Sequence, residues 1–287
     1  MSYLQVQNIS YSYEGKFPAL SNISFDVEKG SCLCLAGANG SGKSTLLQII
    51  AACIKPDAGD VCICNDAPPS PKKVSVLRDE SARRKIGIVF QEPDNQLFMP
   101  TVWEDVAFAI MNKGCAMSEA KAKALNALRA VEAEHLAERP PYKLSGGEKQ
   151  RAALASVLIT FQNNDEHGIL LIDEPTAYLD PRARKNFIQL LKKLSCTKII
   201  ATHDLDMALT ISDEILFLNN GTLAARSPAP GLLSDEVFLQ SIGLELPLSS
   251  PAPRRFEKLL GLPLCGSCSA IPISDHEPHQ PHERIQK

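Results

Sequence analysis

The stretch GANGSGKST, residues 37–45, lies between the continuous apolar run CLCLAG, residues 32–37, and a helix-like run over 43–54. It fits G-x-x-x-x-G-K-[ST] at Gly37, Gly42, Lys43 and Ser44. A continuous apolar run bounded by turn residues reads as a strand buried on both faces. Glycines let backbone N–H groups wrap phosphate oxygens, a lysine reaches the outer phosphates, and a serine hydroxyl can ligate Mg²⁺. Asn39, Gly40 and Thr45 complete the same cradle. A glycine-rich turn with an incidental lysine is the alternative, and it does not explain the strand before and the helix after.

The rest of the chain repeats that alternation. IGIVF (86–90), GILLID (168–173) and TKIIAT (197–202) read as further buried strands. Helices are expected over 102–112, 118–136 and 181–194, the second with Leu125, Leu128 and Leu136 on one face, and a short one from Asp204. Short strands are expected at 3–7, 10–13, 22–27 and 61–65, and near 214–218 and 221–225, with 66–85 as loop. Buried strands alternating with helices imply a parallel sheet, so the expected fold class is α/β. More fully, it is a P-loop NTPase core with an antiparallel β subdomain from the N-terminus and an inserted α-helical subdomain at about 92–160. Residues 1–245 are taken as the nucleotide-binding domain. Residues 246–287, rich in Pro, Ser and His, are taken as an extension expected to be partly disordered.

A nucleotide-hydrolysing site needs a carboxylate on the metal side and a group that orients water. Asp173 ends a buried strand, and Glu174 follows it directly. Gln91 and His203 stand where two more strands end, and in open α/β sheets those ends form the ligand site. Each alone is also readable as a loop amide or a satisfied histidine.

LSGGEKQR, residues 144–151, raises a second question. Ser145 and Glu148 have capping-box spacing before an apolar-periodic run. The pair Gly146 and Gly147 weakens a first turn, so it suggests close approach to the backbone. A helix start with accessible N–H groups attracts phosphate. A chain with one phosphate loop thus carries a second candidate cradle.

These motifs, Gly37–Ser44, Gln91, Leu144–Gln150, Asp173–Glu174 and His203, in this order and spacing over residues 1–225, resemble the ATP-binding subunit of ABC transporters. The resemblance implies that two ATP–Mg²⁺ are shared head to tail between two ATPase subunits, identical or paralogous. Ser145, Gly146 and Gly147 of one subunit then close on the γ-phosphate held by the other. It further implies catalytic roles for Glu174, His203 and Gln91, and metal roles for Ser44, Gln91 and Asp173. Tyr13 matches the aromatic that stacks on adenine, with Tyr11 as a competitor. Asp180 matches the aspartate that links the two sites, although Asp180 before Pro181 is also an ordinary N-cap. Tyr178 departs from the common Ser-Ala-Leu-Asp text, and Glu148 stands where glutamine is common.

The text EPDNQLFMPTVWEDVAFA after Gln91 is similar to the energy-coupling-factor group, of cobalt/nickel or vitamin type. That likeness implies an ATPase at the cytoplasmic face of the membrane. It would drive a transmembrane coupling protein that binds a substrate-capture subunit. A net charge of −3 gives no strong pull toward nucleic acid. No apolar run approaches the roughly 18 residues of a membrane span, and the start lacks a signal-peptide layout. Of nine cysteines, Cys32, Cys34, Cys53, Cys62, Cys64 and Cys196 lie in or beside apolar segments, which suits reduced, mostly buried thiols. Cys265, Cys268, His276, His279 and His282 have metal-ligand chemistry, or form a polar tail. Other readings of the chain are a soluble ABC ATPase acting on DNA or the ribosome, a non-hydrolysing regulatory cassette, and a P-loop kinase. No long coiled-coil insertion or second cassette supports the first, and LSGGEKQR has no use in the last.

Overall fold

A computed structural model describes residues 2–65, 72–161 and 168–249. Contacts divide the chain into residues 1–250 and 251–287. The second unit, with Cys265, Cys268, His276, His279 and His282, lies outside the described residues.

The chain opens with β1 (Ser2–Tyr13) and β2 (Phe17–Glu28), followed by β3 (Cys32–Ala36), α1 (Lys43–Ile50), β4 (Ala58–Asn65) and β5 (Lys72–Ser75). Next come α2 (Glu80–Arg83), β6 (Ile86–Val89), α3 (Val102–Met111), α4 (Met117–Ala130) and α5 (Gly146–Leu158). The remainder is β7 (Ile169–Asp173), α6 (Pro181–Lys193), β8 (Thr197–Thr202), α7 (Leu205–Ile211), β9 (Glu214–Asn219), β10 (Thr222–Pro228) and α8 (Glu236–Ser241). One sheet is antiparallel, in the order β2-β1-β4-β5. The other runs β10-β9-β3-β8-β7-β6 and is parallel except where β10 meets β9.

The parallel strands are buried on both faces, and their period of two divides their side chains between two cores. Cys32, Cys34 and Ala36 of β3, with Leu170 and Ile172 of β7, join the core shared with the helical block. Leu33, Leu35, Ile169 and Leu171 join the core under α1 and the antiparallel sheet. Helices α3, α4 and α5 form the insertion between β6 and β7. Helix α5 also lies on the sheet, since a Cβ on Gly87 of β6 would collide with Val157.

Four expectations need correction. The segments 3–7 and 10–13 are one strand, broken in register near Asn8, whose φ is 51°. Asparagine tolerates the left-handed region, so what looked like a gap is a bulge. The described part of 66–85 is not all loop, because it holds β5 and α2. Two lysines and one valine give β5 almost no apolar signal, and lysines suit an edge strand. The helix expected over 118–136 ends at Ala130, where Glu132 turns left-handed with φ 58°, and a separate short turn, Glu134–Leu136, returns Leu136 to the core. Helix α1 stops at Ile50, with Ala52 left-handed behind it, and this leaves Cys53 exposed. Cys32, Cys34, Cys62 and Cys64 are buried, and Cys196 is half-buried.

Candidate nucleotide site

The carboxyl ends of β3, β6, β7 and β8 lie side by side, and each is followed by a predicted site residue. After β3 the chain turns through Gly37 and Gly40 to Gly42, which caps α1 with φ 101° and no side-chain hydrogen bond. The first-turn N–H groups of α1 therefore have no capping side chain, which is the arrangement that accepts a phosphate. Packing also demands glycine at position 42, because a Cβ there would lie 2.7 Å from Leu20 and 2.9 Å from the Ala19 carbonyl oxygen. Lys43 is buried and donates from Nζ to the carbonyls of Gly37 (2.8 Å) and Ala38 (3.1 Å). Burial lowers its pKa, and the carboxylates of Glu174 and Asp173 oppose that.

Asp173 and Glu174 are both buried at the end of β7. Asp173 hydrogen-bonds Ser44, while its Oδ1 is buried with no hydrogen-bond partner. Burial raises its pKa, and the Ser44 bond opposes that. An orphaned carboxylate oxygen beside a serine hydroxyl fits a hard divalent cation, which takes oxygen ligands. Gln91 lines one cleft with Ser44, so its amide oxygen stands on the same side of the site as these oxygen donors. Among the described residues no cluster of three or more His, Cys, Asp and Glu forms a metal centre of another kind.

Glu174 has φ 43°, a conformation that costs a non-glycine residue energy and is found at functional positions. The geometry aims its carboxylate at the end of β8. Thr202 Oγ1 donates to it at 3.2 Å, the His203 N–H at 3.1 Å, and His203 Nδ1 lies 2.9 Å away. Lys43 Nζ stands 3.9 Å off on the other side. Glu174 and His203 are thus one hydrogen-bonded unit facing the phosphate loop.

A cleft of about 500 Å³ runs along this front, lined among others by Tyr13, Phe17, Lys43, Ser44, Gln91 and Glu174. Asn39, Gly40, Gly42, Thr45 and His203 line it too. Tyr13, rather than Tyr11, reaches it. Its hydroxyl lies 2.9 Å from Thr45 Oγ1, and Tyr11 braces its ring edge-on at 5.0 Å. Two further contributors carry no signal in the sequence. Phe17, opposite Tyr13 across the β1–β2 hairpin, offers a second exposed aromatic face. Thr202 is read in sequence only as a strand end. A buttress was missed as well: Arg184 holds Asp204 with two bonds of 2.7 Å, and Asp204 caps α7 directly after His203.

The second cradle lies beside a neighbouring cleft, which Gly146 lines together with Gln91 and Glu174. Ser145, Gly146 and Gly147 do not line the phosphate-loop cleft. Ser145 and Glu148 form the capping box in both directions. The Ser145 N–H donates to Glu148 at 2.8 Å, and this bond is the main cause holding the Glu148 carboxyl below its ordinary pKa. Part of the glycine requirement is internal. A Cβ on Gly146 would lie 3.1 Å from the Tyr178 carbonyl oxygen, and one on Gly147 3.3 Å from Ala183. Asp180 caps α6, accepting from the Arg182 and Ala183 N–H groups, with Pro181 in the first turn. Tyr178 is exposed beside it.

A phosphate loop, a metal-side aspartate and a following glutamate at the ends of parallel strands define a P-loop nucleotide-hydrolysing ATPase. The ABC transporter family model matches residues 20–177. A putative ABC transporter ATP-binding protein of Geobacter sulfurreducens is 39% identical, covering 92% of this chain and 98% of its own. An energy-coupling factor transporter ATP-binding protein of Methanosphaera stadtmanae is 39% identical over 89% of each chain. Among solved structures, cbiO1 of Clostridium perfringens, part of the ABC transporter complex cbiONQ, superposes with a TM-score of 0.69 at 32% identity, over 85% of this chain and 95% of that one. A dimeric ATP-binding cassette in a post-hydrolysis state, bound to ADP and phosphate, gives 0.67 at 31% identity over 79% and 99%. The chain belongs to the ABC transporter family and is an ATP-binding ABC ATPase.

Proposed function

We propose that this chain is the motor subunit of an energy-coupling-factor-type importer. It drives uptake of a transition metal ion (cobalt or nickel) or a vitamin through a membrane partner. The observation that carries the motor reading is the Glu174–His203 pair, set opposite Lys43 and beside Asp173. The energy-coupling names of several relatives support the importer class. No helix among the described residues is long and apolar enough to cross a membrane.

In the proposed mechanism the phosphate-loop N–H groups and Lys43 hold the β- and γ-phosphates, and Tyr13 stacks on the base. Ser44, Asp173 and Gln91 hold Mg²⁺, which supplies charge neutralisation on the phosphates. Glu174 accepts the proton of the attacking water, or orients that water. His203, oriented by Glu174, meets the γ-phosphate. Ser145, Gly146 and Gly147 of a second ATPase subunit close on that phosphate from the other side, head to tail, with Asp180 at the junction. The capping and packing found for these residues within one chain are compatible with that second task.

The helical insertion has an apolar spot for a membrane partner: exposed Phe98 packs edge-on to Phe108 at 4.9 Å. We place the chain at the cytoplasmic face of the membrane, contacting the coupling protein, which carries the substrate-capture subunit. Residues 1–245 are the motor domain, and residues 246–287 a C-terminal extension whose first residues still pack on it, Leu246 against the core and the Ser249 N–H on Asp206. The test is uptake of Co²⁺, Ni²⁺ and labelled vitamins by cells carrying this chain with its membrane partners. Uptake of one of them, lost in Glu174→Gln, is expected. Uptake that persists in the variant refutes the motor role.

A further inference from the structure

One face of α5 runs along the segment that follows β6. Gly146 packs under the Tyr178 carbonyl, and Lys149 Nζ pairs with Asp94 at 2.6 Å. One turn on, the Ala153 carbonyl accepts from Gln96 Nε2 at 3.4 Å, and Gln96 Oε1 accepts the Phe90 N–H at 3.4 Å. Positions 146, 149, 150, 153 and 157 share this face by helical spacing. Of the polar side chains there, Gln150 is the exception. It is only 3% exposed, and its amide nitrogen is buried with no hydrogen-bond partner. It lines a cleft of about 320 Å³ together with Gln91, Glu92, Glu174, Pro175 and Tyr178.

A buried amide with an unpaired donor is unfavourable, and an apolar side chain of the same size would avoid the penalty. The donor is accounted for by an arrangement in which it is bonded. Gln91, which lines the same cleft, also makes no side-chain hydrogen bond to the described residues. The Gln91 segment is already held to α5 on either side of Gln150, through Asp94 and through Gln96.

We propose that Gln150 is a positioning residue for ATP hydrolysis, whose amide donates to a carbonyl oxygen of the Gln91–Asp94 segment in the nucleotide-bound state and so sets Gln91 at the metal. The placement of α5, which begins at the second cradle, is thereby passed to the metal side of the site. This inference rests on the reading of Gln91 as a metal-side residue.

The test uses the full chain in the assembly that hydrolyses ATP. Gln150→Leu and Gln150→Met remove the donor and keep the volume. Each is expected to melt at or above the wild-type temperature, because a buried unpaired group is gone. The kcat should fall about tenfold, the rate equivalent of one hydrogen bond, with KM for ATP unchanged. In a Gln91→Ala background, Gln150→Leu should have no further effect. An unchanged kcat in both variants overturns the proposal, as does a melting temperature that falls in step with kcat, or a full additional loss on top of Gln91→Ala. Wild-type protein without ATPase activity would instead count against the motor reading.

Discussion

Replacing Gly146 or Gly147 by alanine adds one methyl group where the two explanations of the glycine pair diverge. If the pair exists only for packing, the cost appears in stability. The Gly146 methyl would stand 3.1 Å from the Tyr178 oxygen and the Gly147 methyl 3.3 Å from Ala183, both a few tenths of an ångström tighter than ordinary contact. Tyr178 lies in an exposed segment and can yield that distance. Against the crowding, alanine is favoured over glycine in a helix by about 0.5–1 kcal/mol. The two effects nearly cancel, so net stability should stay within about 1 kcal/mol, or about 2–4 °C in melting temperature. If the N–H groups of this turn hold a γ-phosphate, the methyl obstructs it, and loss of one preorganised donor costs about 10²–10³ in rate. We therefore expect near-native melting in both variants, with ATP turnover reduced at least tenfold. The assay is steady-state phosphate release beside differential scanning calorimetry. Wild-type turnover in both variants, or melting lowered by more than about 5 °C in step with activity, would count against phosphate contact at this turn.

Glu174→Gln keeps the shape of the side chain but removes the acceptor of a proton, so ATP turnover should fall by about 10²–10⁴ while ATP binding persists; equal turnover removes Glu174 from its role. Tyr13→Phe loses only the hydroxyl contact to Thr45 and should bind ATP nearly as well as wild type, whereas Tyr13→Ala should weaken binding markedly. Equal binding by Tyr13→Ala in equilibrium titration would count against base stacking. The Glu148 carboxyl is held below its ordinary value of 4.5, so its stabilisation is present above that pH and is lost as pH falls through the lowered folded value. Glu148→Gln should flatten that part of the acid limb of a stability–pH curve. An unchanged acid limb would show that the cap does not act through charge.

The parts of the site legible in the sequence are those set by local rules. A buried strand that runs into a glycine or a polar residue places Gly37, Gln91, Asp173 and His203 at strand ends, and the parallel sheet aligns those ends. Capping is equally local, so Ser145–Glu148 and Asp180 are readable from spacing alone. What was missed depends on tertiary approach. Phe17 reaches the cleft only because the hairpin register sets it opposite Tyr13. Thr202 meets Glu174 because β7 and β8 are neighbours and Glu174 turns left-handed. The internal reason for Gly146 and Gly147 required knowing that α5 starts against the segment before α6 and the first turn of α6. Edge strand β5, with two lysines and one valine, had no apolar pattern to show.

If the two cradles serve nucleotides shared between two chains, ATP must bring those chains together. The direct measurement is the mass of purified Glu174→Gln protein by light scattering, with and without ATP–Mg²⁺. A dimer is expected to form with ATP–Mg²⁺, either from this chain alone or once a second ATPase subunit is added, and to fail to form when Gly146→Ala is introduced as well. A chain that binds ATP yet stays monomeric under both conditions would contradict it.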